Sequence, residues 1–141
     1  MKVSEMNSSH LPEVARLSLQ LGYPVSPMEL EVRWQNLSRN PRHALLVCEE
    51  DSNIRGWMHL ERVEDLIEED KAEIKAIVVD EIARGNGVGK VLIREAEKWA
   101  KTNHLRIIYL SCNILRERTH AFYGRQGFTS NKTSLFFEKE I

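Results

Sequence analysis

Apolar and polar positions recur along this chain in two periods, and the changes of period mark its elements. After a short strand near Val3, the residues Leu11, Val14, Ala15, Leu17, Ser18 and Leu21 fall at three- and four-residue spacings. That spacing predicts a helix capped by Ser9 and ended by Gly22. Ser26, followed by Pro27 and then Glu29, has the form of a capping box and opens a second helix. The second helix turns Leu30, Trp34 and Leu37 inward and stops by Asn40-Pro41. From His43 the period shortens. Ala44 to Cys48 is an apolar run, Asp51-Ser52-Asn53 is turn chemistry, and Ile54 to Leu60 resumes as strand, predicting an antiparallel pair. Ala72 to Val79 is an almost unbroken β-favouring run, as expected of a central strand. A glycine-rich turn follows, then a long amphipathic helix carrying Val88, Val91, Leu92, Ala96, Trp99 and Ala100 on one face. Leu105 to Leu110 predicts a strand parallel to the central one, Leu115 to Arg125 a short helix ending at Gly127, and Leu135 to Glu138 a final strand. The expected architecture is α/β: a single domain over residues 1–141, with a mixed, mostly antiparallel sheet flanked by helices on both faces.

Composition narrows the function. A length of 141 residues at 42% hydrophobic content suffices for one core but not for two ordinary domains, so one domain must hold every substrate. Twenty basic against 21 acidic residues leave a net charge of -1, a poor footprint for nucleic acid or a membrane surface. The expected partner is a small molecule. Met1 to His10 has no apolar stretch suited to a signal peptide, which makes the expected location cytoplasmic. Cys48 and Cys112 both lie in apolar, strand-like runs and read as reduced core thiols, and the five histidines show no metal-ligand spacing.

Arg84-Gly85-Asn86-Gly87-Val88-Gly89-Lys90 falls where a strand hands over to a helix. Free backbone N–H groups and the positive end of the helix dipole converge there, which favours a phosphate. Three phosphate-binding patterns compete. The P-loop needs a glycine where Arg84 stands and a Ser or Thr where Val91 stands. The dinucleotide fingerprint needs a glycine at Lys90, on the first strand of its unit. Both fail. The turn matches Arg-x-x-Gly-x-Gly, and here the chain resembles the GNAT superfamily of N-acetyltransferases, whose pyrophosphate motif is (Gln/Arg)-x-x-Gly-x-(Gly/Ala). Upstream, Ala72-Glu73-Ile74 through Val79-Asp80 is similar to the family's central strand. Downstream, Ala121-Phe122-Tyr123 and Gly127-Phe128 are similar to its last motif. The first seventy or so residues resemble the family only in element order.

The resemblance implies acetyl-coenzyme A (acetyl-CoA) as cosubstrate, an amine as acceptor and no metal. It places the pyrophosphate on Arg84, Gly85, Asn86, Gly87, Val88, Gly89 and Lys90, and the pantetheine arm on the backbone of Ile77, Val78 and Val79, with the Val79 N–H as oxyanion donor. It makes Tyr123 the general acid toward the CoA sulfur, and Asn113 a contact of the cofactor's amide arm unless it merely forms a turn. Glu73 corresponds to the carboxylate that deprotonates the amine in many relatives. Strand alternation puts Glu73, Lys75 and Ile77 on one face, so Glu73 either looks into the acceptor cleft or pairs with Lys75. His120 is a second base, or a helix cap. A covalent route through Cys112 is the minor mechanism. Glu61, Glu64, Asp65, Glu68, Glu69 and Asp70 form an acidic segment that either attracts a polycation or is a solvated loop. The family also includes homodimers joined through the carboxy-terminal strand. The competing class is a non-catalytic acyl-CoA sensor.

Overall fold

The computed structural model describes all 141 residues, which divide into two compact units, Met1–Ser111 and Cys112–Ile141. In the first unit the elements run β1 (Lys2–Glu5), α1 (Leu11–Gln20), α2 (Pro27–Ser38), β2 (His43–Glu50), β3 (Asn53–Val63), β4 (Lys71–Val79), α3 (Val88–Thr102) and β5 (Ile108–Tyr109). The strands form one sheet in chain order, β1-β2-β3-β4-β5. Every pair is antiparallel except β4 and β5, which are joined through α3 and run parallel. No helix is long and apolar enough to cross a membrane.

Helices cover both faces of this sheet. On one face, Leu45, Val47, Trp57 and Val78 lie beside one another across three strands and pack against Leu11, Val14 and Leu17 of α1 and Leu30 and Trp34 of α2. On the other, Cys48 and Met58 are fully buried on the side that carries α3 through Val88, Leu92, Ile93 and Ala96. Gly56 sets how closely α3 lies on this face. A Cβ there would stand 2.8 Å from the Val78 carbonyl oxygen and 2.9 Å from Val88 Cγ1. Gly56→Ala is therefore expected to destabilise the protein by roughly 1–3 kcal/mol through overpacking, read as a lower urea midpoint at unchanged slope.

Several local signals act as expected. Ser26 accepts from the Glu29 N–H while Glu29 returns a bond to the Ser26 N–H, closing the capping box. Asp51 and Ser52 both take positive φ, the geometry of a two-residue hairpin turn. Other expectations need correction. Asn7, rather than Ser9, caps the entry to α1, because its side chain accepts from the Ser9 N–H and starts a 3-10 turn over Ser8–His10. The strand expected over Leu105 to Leu110 is paired only at Ile108–Tyr109.

The second unit holds α4 (Glu117–Arg125), followed by Gly127 at φ +92°. Tyr123 packs its ring against Phe122 and Phe128. The final strand expected over Leu135 to Glu138 is not formed, and the side chains there are open to solvent, with Phe137 89% exposed. Cys112 is exposed as well, unlike Cys48, because regular strand structure ends at Tyr109, before reaching it.

Candidate functional site

The end of β4 has the features of a site for an extended ligand ending in phosphate. β4 pairs with β5 only through Ala72 and Glu73, so from Ile74 onward its β5-side edge has no partner strand. The Asp80 N–H donates to the Arg55 carbonyl on the β3 side at 2.8 Å. Backbone groups alternate in direction along a strand, so the Val79 N–H points to the open edge. Of these residues the Val78 side chain is buried, and the backbone groups of Ile77 and Val79 face the edge that has no partner strand.

A 3-10 turn over Glu81–Ala83 leads from β4 into the glycine turn. Gly85 and Gly87 take φ of +86° and +89°, the left-handed region, and a Cβ built on Gly85 would meet nothing within 4 Å. The first helical bond of α3 is from the Val91 N–H to the Gly87 carbonyl, which leaves the N–H groups of Val88, Gly89 and Lys90 ahead of it. No side chain caps that end. Uncapped N–H groups, the helix dipole and an open glycine surface fit a diphosphate.

Asp80 holds this turn in place, and it was not among the site residues read from the sequence. Its side chain is 1% exposed and accepts from Arg16 at 3.0 Å, Gln20 at 3.3 Å and the Ile82 N–H at 3.3 Å, while Arg55 lies at 3.4 Å. Gln20 also accepts from the Glu81 N–H. Burial alone would raise the Asp80 carboxyl, but the bonds from Arg16, Gln20 and Ile82 hold it below the usual carboxylate range. An ionised aspartate thus ties α1 and β3 to the start of the glycine turn. The available signal was an Asp at the junction of strand and turn, where Asx bonding is common.

The face of the sheet bearing α1 and α2 becomes polar beyond their cover. His43, His59, Glu61 and Glu73 occupy adjoining positions on β2, β3 and β4. The Tyr109 hydroxyl donates to Glu73 at 3.0 Å, and Lys75 lies 3.5 Å from Glu73 and 3.7 Å from Glu61. Burial, then the bond to Glu73, pushes the Tyr109 phenol up to about 12. The expectation that Glu73, Lys75 and Ile77 share a face is corrected by a bulge. Pairing steps from His59–Ala76 to Leu60–Ile74 and skips Lys75, so Glu73 lies on the α1–α2 side and Ile77 on the α3 side. On the polar side, Trp57 buries its indole N–H without an acceptor.

Much of the acidic segment is neutralised by neighbours. Glu64 pairs with Arg42, Asp70 with Arg62, Glu68 with Lys71, and Glu69 with Arg106. Asp65 accepts from the Ile67 and Glu68 N–H groups. The segment is an ion-paired connection between strands. In the second unit, Asn113 Oδ1 accepts from the Leu115 N–H, and the Asn113 carbonyl accepts from Arg116 N–H and from His120 Nε2. Both Asn113 and His120 therefore help shape the entry to α4. Burial first, then Cys112, pushes the Tyr123 phenol up to about 12, against a smaller lowering by Arg116.

These features coincide with a known family. The model of the acetyltransferase (GNAT) family matches residues 11–128, and the chain belongs to that family. A curated relative, an uncharacterised N-acetyltransferase of Methanocaldococcus jannaschii, is 30% identical over 94 residues, covering 65% of this chain and 42% of the relative's own length. An aminoglycoside 6′-N-acetyltransferase from Acinetobacter haemolyticus shares the fold at a TM-score of 0.87 and 19% identity, covering 100% of this chain and 99% of its own. A second aminoglycoside N-acetyltransferase, in complex with the bisubstrate analogue CoA-S-monomethyl-acetylneamine, matches at a TM-score of 0.88 and 17% identity over 99% of this chain and 98% of its own.

Proposed function

We propose that this chain is an acetyl-CoA-dependent N-acetyltransferase that passes the acetyl group directly, in a ternary complex, to a primary amine of a small molecule or peptide. The observation that carries the reading is the uncapped start of α3, where Gly85 and Gly87 open the backbone at the end of β4. One GNAT-type domain over residues 1–141 performs the reaction, in keeping with a family match that runs from residue 11 to 128.

Arg84, Gly85, Asn86, Gly87, Val88, Gly89 and Lys90 take the pyrophosphate. Ile77, Val78 and Val79 hold the pantetheine arm by backbone bonds, and the unpaired edge of β4 supports that role. The Val79 N–H stabilises the oxyanion, a contact of a kind worth roughly 3 kcal/mol. Tyr123 protonates the departing thiolate, and its raised pKa keeps it a neutral donor. Asn113 contributes to the amide arm through the part of its side chain that does not form the turn. Glu73 contributes a carboxylate to the acceptor site, where its tie to Tyr109 fixes its orientation. A cationic acceptor agrees with the aminoglycoside substrates named for two of the structural neighbours.

The test is CoA release from acetyl-CoA with neamine, spermidine, free amino acids and lysine-containing peptides. Turnover with one class establishes the activity. Tight acetyl-CoA binding with no turnover on any amine favours a sensor instead. Cys112→Ala is expected to retain full activity, since direct transfer needs no acyl-enzyme. An inactive but folded variant would establish the covalent route.

A further inference from the structure

β2 and β3 bring together two histidines that neither the glycine turn nor the pantetheine edge uses. His43 Nδ1 lies 2.9 Å from His59 Nε2, with the rings 5.1 Å apart at 44°. Two nitrogens at that distance share one hydrogen, so the pair is coupled. The bond occupies His59 Nε2 and leaves His59 Nδ1 and His43 Nε2 outside it.

The groups around the pair make this arrangement chemically specific. His59 lies opposite Ala76 on β4, one residue before Ile77 and the open backbone edge. His43 approaches from β2, while Glu61 on β3, Glu73 and Lys75 on β4 and Tyr109 on β5 complete the charged and titratable surroundings. Glu73, the base suggested by family resemblance, already accepts from Tyr109 on one oxygen and faces Lys75 with the other. A carboxylate so engaged is better placed to orient its neighbours than to take a proton.

We infer that His59, backed by His43, is the group that receives the proton of the acceptor amine. The inference rests on the N-acetyltransferase reading and adds a catalytic residue to it. The entering ammonium gives its proton to His59 Nδ1. His59 passes its Nε2 hydrogen to His43 Nδ1, and His43 releases its Nε2 hydrogen to water. The freed nitrogen lone pair forms the C–N bond to the acetyl carbon as the C–S bond breaks, and the thiolate takes the Tyr123 proton. Burial first, then His43 and Lys75, pushes His59 down to about 4, so its ring is neutral at physiological pH and, as a weak base, acts as a relay that hands a proton on to His43 rather than holding one.

The experiment compares the wild-type chain with His59→Gln, His43→Gln and Glu73→Gln, using acetyl-CoA and the amine that the wild type turns over. His59→Gln is expected to lower kcat/KM roughly 100-fold at pH 7, leave acetyl-CoA affinity unchanged, and recover toward wild type as pH rises and the amine deprotonates in solution. His43→Gln is expected to show the same pH-dependent recovery from a smaller loss. A structural role would lower rates equally at all pH values. Wild-type turnover with an unaltered pH profile in His59→Gln, or a pH-recoverable loss in Glu73→Gln alone, would overturn the inference and leave the acetyltransferase reading intact. No turnover by wild type on any amine would instead remove both. Nitrogen-15 spectra of the histidine rings add a check independent of turnover: the expected neutral tautomer of His59 carries its hydrogen on Nε2, and a hydrogen on Nδ1 would refute the route.

Discussion

Gly87→Val is expected to abolish acetyl-CoA binding while leaving a folded domain. Gly87 is the residue before the first turn of α3 and has φ +89°, a conformation that costs a β-branched residue more than almost any other. The surrounding space is open, since a Cβ would meet only the flexible end of Met1 at 3.9 Å. The damage is therefore a local change of backbone rather than a clash in the core. Its structural cost is on the order of 1–3 kcal/mol, which a domain with a continuous sheet core can survive. Any relief of that strain rotates the peptide groups ahead of Val91, and these hold the N–H donors on which the pyrophosphate would rest. The isopropyl group also stands where the ligand must approach. Calorimetric titration should show no acetyl-CoA binding, with circular dichroism unchanged. Undiminished affinity would remove the pyrophosphate assignment and, with it, the main support for the enzyme reading.

The glycine turn of the proposed cofactor site was legible because it depends on local chemistry. Glycines, a strand-to-helix junction and an uncapped helix start are all written within Val79 to Val91. The polar face proposed for the acceptor depends on register between distant strands. A two-residue turn at Asp51-Ser52 sets the β2–β3 pairing, and counting outward from it comes within one residue of bringing His43 opposite Glu61. The missing residue is the irregularity near Cys48 and Glu49, which shifts the pairing by one. A second irregularity beside Lys75 separates Glu73 from Ile77. Bulges carry little compositional signal, yet each reverses which face a side chain occupies. The His43–His59 contact and the side of Glu73 therefore emerge only from the assembled sheet.

Helix boundaries show the same distinction. The Ser26–Glu29 box is a reciprocal pair within four residues and needs no tertiary context. Ser9 is the expected cap, but Asn is as good a capping type as Ser, and the three-residue 3-10 turn selects Asn7. At Leu135 to Phe137, apolar β-formers predicted a strand, but strand structure needs a hydrogen-bonded neighbour, and this segment has none. Propensity names a preference for a pleated, half-buried surface and does not supply the surface.

Tyr123→Phe is expected to lower turnover by roughly 10- to 10⁴-fold with little change in acetyl-CoA affinity. Phenylalanine keeps the ring contacts with Phe122 and Phe128, so the variant should fold and melt like wild type. It removes only the hydroxyl proton. Burial holds that phenol at about 12, so wild-type Tyr123 stays protonated across the range in which amines become free bases. A rate limited by amine deprotonation should therefore rise with pH and show no falling limb from Tyr123 below pH values near 11. In Tyr123→Phe, the departing thiolate has to find its proton in water or leave unprotonated, so the loss should appear in kcat. Acceptors that deprotonate easily should suffer as much as strongly basic ones, because the missing step concerns sulfur rather than nitrogen. His59→Gln is expected to do the reverse, sparing weakly basic amines and recovering at high pH. Full activity in Tyr123→Phe would take the hydroxyl out of the mechanism. Loss with both variants, in these opposite patterns, would separate the acid at the thiol from the base at the amine.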